Sequence, residues 1–78
     1  MPVQAYVLVT AKPGTSKGIV GRMIDVKGVR AADACWGRPD IFIRLEAPDL
    51  RALSDLVLTK IQPIEGVEST DTHIVCEM

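Results

Sequence analysis

Apolar and polar positions alternate over residues 3–11. Val3, Ala5, Val7, Val9 and Ala11 share one face, and Gln4, Tyr6, Leu8 and Thr10 the other. That is the period of a strand packed on one side. Lys12-Pro13-Gly14 ends it, and Thr15 or Ser16 is expected to cap a following helix by accepting from an unpaired helix N–H. Ile19, Val20, Met23 and Ile24 then recur at helical spacing, with Lys27-Gly28 as the stop. Gly18 and Gly21 weaken this helix by about 1 kcal/mol each relative to alanine. Residues 29–36 read as a second strand, and Gly37-Arg38-Pro39-Asp40 as a tight connection to an alternating third strand over residues 41–46. Pro48 suits the first turn of a second helix. Leu50, Leu53, Val57 and Ile61 supply its stripe, residues 62–66 with Pro63 break it, and residues 67–76 form a fourth strand.

The order β-α-β-β-α-β predicts an α+β, ferredoxin-like sandwich. It has a four-stranded antiparallel sheet with both helices on one face, and residues 1–78 form a single domain. Val7, Val9, Ile41, Ile43 and Leu45 should lie under the helices. The other face should carry Tyr6, Leu8 and Phe42 among Gln4, Thr10, Arg44 and Glu46. Large apolar side chains left there point to a face that meets another subunit, with Tyr6, Leu8, Phe42 and Arg44 as the expected interface.

Length sharpens that expectation. A chain of 78 residues buries only roughly 60% of its unfolded surface and gains from outside support. The content is 47% hydrophobic and 24% charged, with a net charge of −1 and no Lys/Arg cluster. This composition argues for a globular domain and against direct nucleic-acid binding. Cys35 and Cys76 are the only cysteines and are expected as two buried thiols. No secretory leader or membrane-length apolar run is seen, which points to the cytoplasm, where disulfides rarely persist. Oligomerisation remains as the source of support.

Candidate chemistry changes this picture little. Residues 13–18 faintly suggest a phosphate loop. That motif, however, requires glycine before the lysine and another five positions earlier, where this chain has Ser16 and Ala11. Ser69, Asp71 and His73 share one strand face, but neighbours two apart are separated by about 6.6–6.8 Å, so a hydrogen-bonded triad is not expected. A single histidine and the lack of a Cys-x-x-Cys pair argue against a metal site. Glu65 and Glu68 flank a turn and read as solvated. No cofactor and no catalytic residues are expected. The connection at residues 37–40 is more suggestive. Glycine allows close approach of a ligand, Asp40 offers an acceptor, and Trp36 an apolar wall, although Gly37 and Asp40 also serve simply as turn formers.

Taken together, the chain resembles the effector-binding (RAM) domain of the Lrp/AsnC family over nearly its whole length. The resemblance is carried by Ala5-Tyr6-Val7-Leu8-Val9, Lys12-Pro13-Gly14, Gly28-Val29, Gly37-x-x-Asp40, Asp49-Leu50, Lys60-Ile61, Gly66-Val67 and Thr70-x-Thr72-x-Ile74-Val75. The chain starts at the first strand, so it resembles the stand-alone form without the helix-turn-helix. The resemblance implies homodimers packed sheet to sheet, higher rings such as octamers, and amino acids bound between dimers. Carried over by position, it implicates Trp36, Gly37, Arg38, Asp40, Thr70 and Thr72 in ligand binding. Backbone N–H groups near Gly37 and the threonine hydroxyls would serve the carboxylate, and Asp40 or a carbonyl the ammonium. Pro39 stands where the family commonly has an aromatic residue, and it removes a donor. His73 replaces a usually apolar residue and adds a pH-sensitive group.

The function so implied is a non-enzymatic amino-acid-sensing module that oligomerises. It would modulate transcription through full-length Lrp/AsnC regulators, without contacting DNA or membrane itself. The alternatives are a ligand-independent interaction module, which Pro39 favours, and a small dimeric α/β-barrel enzyme.

Overall fold

The computed structural model describes residues 2–76. Its elements run β1 (Val3–Ala11), α1 (Ser16–Met23), β2 (Val29–Ala34), β3 (Ile41–Ala47), α2 (Leu50–Leu56) continued by a π-helical turn (Val57–Ile61), and β4 (Val67–Ile74). The strands form one sheet in the order β2-β3-β1-β4, and every pairing is antiparallel. This is the expected ferredoxin-like α+β architecture.

The alternation along β1 and β3 sets the core. Ala5, Val7, Val9, Ala11, Ile41, Ile43 and Leu45 are all fully buried. The antiparallel register places Val7 opposite Ile43 and Val9 opposite Ile41, so both strands send their β-branched residues to the same side. Ile19 and Met23 of α1, with Leu53, Val57 and Ile61 of the second helix, close over them. The opposite face carries Tyr6 and Phe42, 45% and 40% exposed, with Leu8 half-buried between them.

Several local expectations need correction. Thr15 occupies the N-cap of α1 in a helical backbone conformation and makes no capping bond. Its hydroxyl instead donates to the Lys12 carbonyl at 2.7 Å, and the Ser16 hydroxyl donates to Asp40. Ile24 falls beyond the last turn and is exposed. Pro48 is outside α2. Asp49 is the N-cap, and its carboxylate accepts from the Ala52 N–H at 2.8 Å, an arrangement worth about 1 kcal/mol. Leu50, in the first turn, is exposed. The stripe does not continue in a single α-helix either. The Gln62 N–H reaches the Val57 carbonyl at 2.9 Å, widening the last turn into a π-helix and still burying Ile61.

Both cysteines are exposed rather than buried. β2 ends at Ala34 and β4 at Ile74, so Cys35 and Cys76 lie just past the ends of the two edge strands, where no helix covers them. Pairing outlasts β4 by one bond, from the Val75 N–H to the Gln4 carbonyl at 2.8 Å. Among the described residues no helix is long and apolar enough to cross a membrane.

Candidate functional site

The antiparallel order brings four chain segments to one corner of the sheet: the end of β1, the start of α1, the β2–β3 turn and the start of β4. Main-chain bonds close it. The Lys12 N–H donates to the Gly66 carbonyl at 2.8 Å, the Asp40 N–H to the Val9 carbonyl at 3.0 Å, and the Cys35 N–H to the Asp40 carbonyl at 2.7 Å. Gly66, with φ +101°, sits where an added Cβ would lie 2.8 Å from the Thr15 hydroxyl, so glycine is required for this closure.

Asp40 is the hub. Its Oδ1 accepts from the Ala11 N–H at 2.9 Å and its Oδ2 from the Ser16 hydroxyl at 2.7 Å. The Ala11 N–H, more than the Ser16 hydroxyl or the nearby Arg38 charge, holds the Asp40 carboxyl below its ordinary value of 3.8, against an opposing effect of burial. The carboxylate expected to face a ligand ammonium thus already accepts two internal bonds.

Arg38 spans the corner. Its Nη1 donates to the Ala11 carbonyl at 2.8 Å, and its Nη2 pairs with Glu68 Oε1 at 2.9 Å. Glu68, expected as a solvated carboxylate, is therefore an ion-pair partner of the turn. β1 and β4 shift register between Thr10 and Ala11, and Glu68 stands in that irregularity. Glu68 also lines a shallow polar cleft of about 320 Å³ with Gln62, Val67, Ser69 and Thr70. The Gln62 Nε2 donates to the Thr70 hydroxyl there at 3.0 Å.

The expected ligand residues are therefore only partly gathered. Arg38 and Asp40 share the corner, and Thr70 joins them through the cleft beside Glu68. Thr72 lines a separate groove of about 250 Å³ with Leu53, Ser54, Val57, Leu58 and Ile74. Trp36 is fully exposed, and Gly37, at φ +104°, has open space around it. Gln62 and Glu68 carry no local signal that marks them as site residues: only the folded pairing of β4 with β1 carries Glu68 to Arg38, and only the return of the chain into β4 sets Thr70 beside Gln62. A wider depression of about 590 Å³, bordered by Lys27, Arg30, Glu46, Ala47, Ala52 and Leu56, contains none of the expected residues.

On the bare face, the register places Tyr6 between Arg44 and His73, and Leu8 between Phe42 and Asp71. Arg44 donates to Gln4 Oε1 at 3.1 Å, and Arg30 pairs with Glu46 at 2.9 Å. His73 Nε2 does meet Asp71 Oδ2, at 3.1 Å, contrary to the expectation from strand spacing: the imidazole is long enough to fold back along the exposed strand. Ser69 is not part of that contact, so it is a polar pair and not a triad. Among the described residues, no group of three or more His, Cys, Asp or Glu could hold a metal ion.

A family model described as the Lrp/AsnC ligand binding domain matches residues 4–78. An uncharacterized HTH-type transcriptional regulator of Pyrococcus horikoshii is 30% identical over 73 residues, covering 94% of this chain and 46% of the relative. The chain spans about half the length of the curated relatives it matches. Among solved structures, a Thermus thermophilus protein superposes with a TM-score of 0.91 at 22% identity, covering 97% of this chain and 95% of that one. A transcriptional regulator of Neisseria meningitidis in complex with L-Met superposes with a TM-score of 0.85 at 19% identity, covering 96% and 50%.

Proposed function

Because the chain belongs to the Lrp/AsnC ligand binding domain family, we propose that it is a non-enzymatic, amino-acid-responsive module that self-associates and modulates transcription through regulators of that family. The observation that carries the reading is the uncovered sheet face, where Tyr6, Leu8 and Phe42 form a continuous apolar strip across β1 and β3. A small domain gains stability by covering such a strip with a second copy. Arg44, at the rim of the strip, would orient the pairing.

The amino-acid half of the proposal draws on the family and on the L-Met complex of the Neisseria regulator. Its candidate residues are Trp36, Gly37, Arg38, Asp40, Thr70 and Thr72. An effector shifts assembly only as far as it binds one state better than the other, and its binding raises thermal stability by linkage. A thermal-shift screen of the twenty amino acids combined with light scattering tests both halves. The expected result is a defined oligomer whose melting temperature rises with at least one amino acid. A monomer at micromolar concentration would overturn the assembly, and a flat screen at millimolar concentration the sensing.

A second reading, a ligand-independent interaction module, is favoured by Pro39 and by the internal bonds of Asp40. It predicts co-purification with a DNA-binding homologue irrespective of added amino acids.

A further inference from the structure

Resting on the amino-acid-responsive reading, we infer that the ligand enters by opening the Arg38–Glu68 ion pair: Glu68 takes the α-ammonium and Arg38 the α-carboxylate. Asp40 is poorly placed for the ammonium role. Both its oxygens are committed, Oδ1 to Ala11 and Oδ2 to Ser16, and turning the carboxylate outward would release the end of β1 or the start of α1 from the turn. Glu68 has no such commitment. It is bound through Oε1 alone among the described residues, its side chain is half-exposed, and it already lines the polar cleft.

Arg38 is suited to stay while Glu68 changes partner. The bond from Nη1 to the Ala11 carbonyl holds the guanidinium in place without help from the carboxylate. The rest of its planar fork can then engage a ligand carboxylate through two parallel bonds. The exchange conserves charge. One protein ion pair becomes two protein–ligand pairs, and solvent-exposed pairs of this kind contribute little on their own, so opening the pair opposes binding only weakly. A molecule carrying one charge cannot complete the exchange, because it satisfies one partner and leaves the other facing the vacated position.

The cleft also restricts the side chain. Among the described residues, Gln62, Ser69 and Thr70 line the cleft with Glu68, and Val67 is its one apolar lining residue. The Thr70 oxygen accepts from Gln62, which leaves the hydroxyl proton free to donate. The ligand is therefore a free α-amino acid with a small polar side chain, of the serine or asparagine type.

Calorimetric titration of the whole chain with serine and asparagine, then with 3-hydroxypropionate and ethanolamine, tests this. The last two keep serine's carboxylate or its ammonium but not both. The expected result is binding of the amino acids, with neither single-charge analogue binding. Glu68→Gln should fold with an unchanged melting temperature and bind about tenfold or more weakly, the loss expected of a charge-assisted bond. If 3-hydroxypropionate binds as well as serine, or Glu68→Gln binds within about twofold of the parent, the pair exchange is overturned while amino-acid sensing stands. If the chain binds leucine or methionine but neither serine nor asparagine, the assigned ligand class is overturned. If none of the twenty amino acids binds, both the exchange and the reading it rests on fall. The analogue series uses the unaltered protein and is decisive even if the variant does not fold.

Discussion

The Ser16 hydroxyl donates to Asp40 Oδ2 at 2.7 Å and so fastens the first turn of α1 to the β2–β3 turn. Because Asp40 Oδ1 also accepts from Ala11, one carboxylate ties the end of β1 and the start of α1 to a turn that is distant from both in sequence. Asp40→Ala should therefore destabilise the fold itself, by about 1–3 kcal/mol, as it strands the Ala11 N–H without its acceptor. Urea denaturation measures this, and an unchanged midpoint would refute the hub role. Loss of a ligand response in Asp40→Ala is consequently ambiguous, which makes Glu68 the cleaner position for probing the site.

The same carboxylate gives a pH signature. Its folded-state pKa lies below the ordinary value of 3.8, so its contribution is fully present above about pH 4 and is lost as pH falls through the folded-state value. In Asp40→Asn the amide oxygen can still accept from Ala11, but the NH₂ cannot accept from Ser16, and no charge titrates. The stability gap between the parent and Asp40→Asn should thus be constant near neutrality and narrow below about pH 4. A gap that stays constant into strong acid would contradict the assignment.

Part of this organisation is legible in the chain and part is not. The faces of β1 and β3 can be read directly, because strand alternation is a local property: Val7, Val9, Ile41 and Ile43 go inward, and Tyr6 and Phe42 outward. The π-helical turn is not legible, since Leu53, Val57 and Ile61 keep a spacing that a regular α-helix would also bury. Thr15 and Ser16 are good capping residues by type, but their hydroxyls found the Lys12 carbonyl and Asp40, and the second of these partners is 24 positions away. Arg38 was legible as a turn residue. Its partner Glu68 was not, because 30 positions separate them and only the sheet order makes them neighbours. The cysteines read as buried because strand-like composition extends past the points where the strands stop.

Glycines separate into required and dispensable ones. Gly66→Ala combines a φ of +101° with a Cβ placed 2.8–2.9 Å from Thr15, and should cost more than about 1 kcal/mol. Gly18 and Gly21 sit in α1 with nothing within 4 Å of an added Cβ. Alanine at either should stabilise by about 0.5–1 kcal/mol. Thermal melts of the three variants should move in these opposite directions. Destabilisation by Gly18→Ala or Gly21→Ala would mean that another chain packs closely on α1.

The sheet face can be tested by a substitution that spares the monomer. Phe42 lies directly across from Asp33 on β2, so Phe42→Lys creates a favourable cross-strand charge pair while placing an ammonium in the middle of the apolar strip. The chain should remain folded by circular dichroism and shift to a monomer in light scattering. Retention of the parent's oligomeric mass would show that assembly uses another surface.

Trp36 provides an optical test without any mutation. It is the only tryptophan in the chain, and in the single subunit it is fully exposed at the tip of the β2–β3 hairpin. An indole left in water makes a poor terminus for a connection whose neighbours are otherwise small or polar, whereas burying an aromatic ring against another subunit is strongly favourable. The assembled state is therefore expected to cover it. Intrinsic fluorescence across a dilution series should show blue-shifted emission and protection from iodide or acrylamide at high concentration, with water-like emission and full quenching after dissociation. Phe42→Lys should show the dissociated spectrum at every concentration. If the parent assembles by light scattering while Trp36 stays fully quenchable, the hairpin tip lies outside the interface.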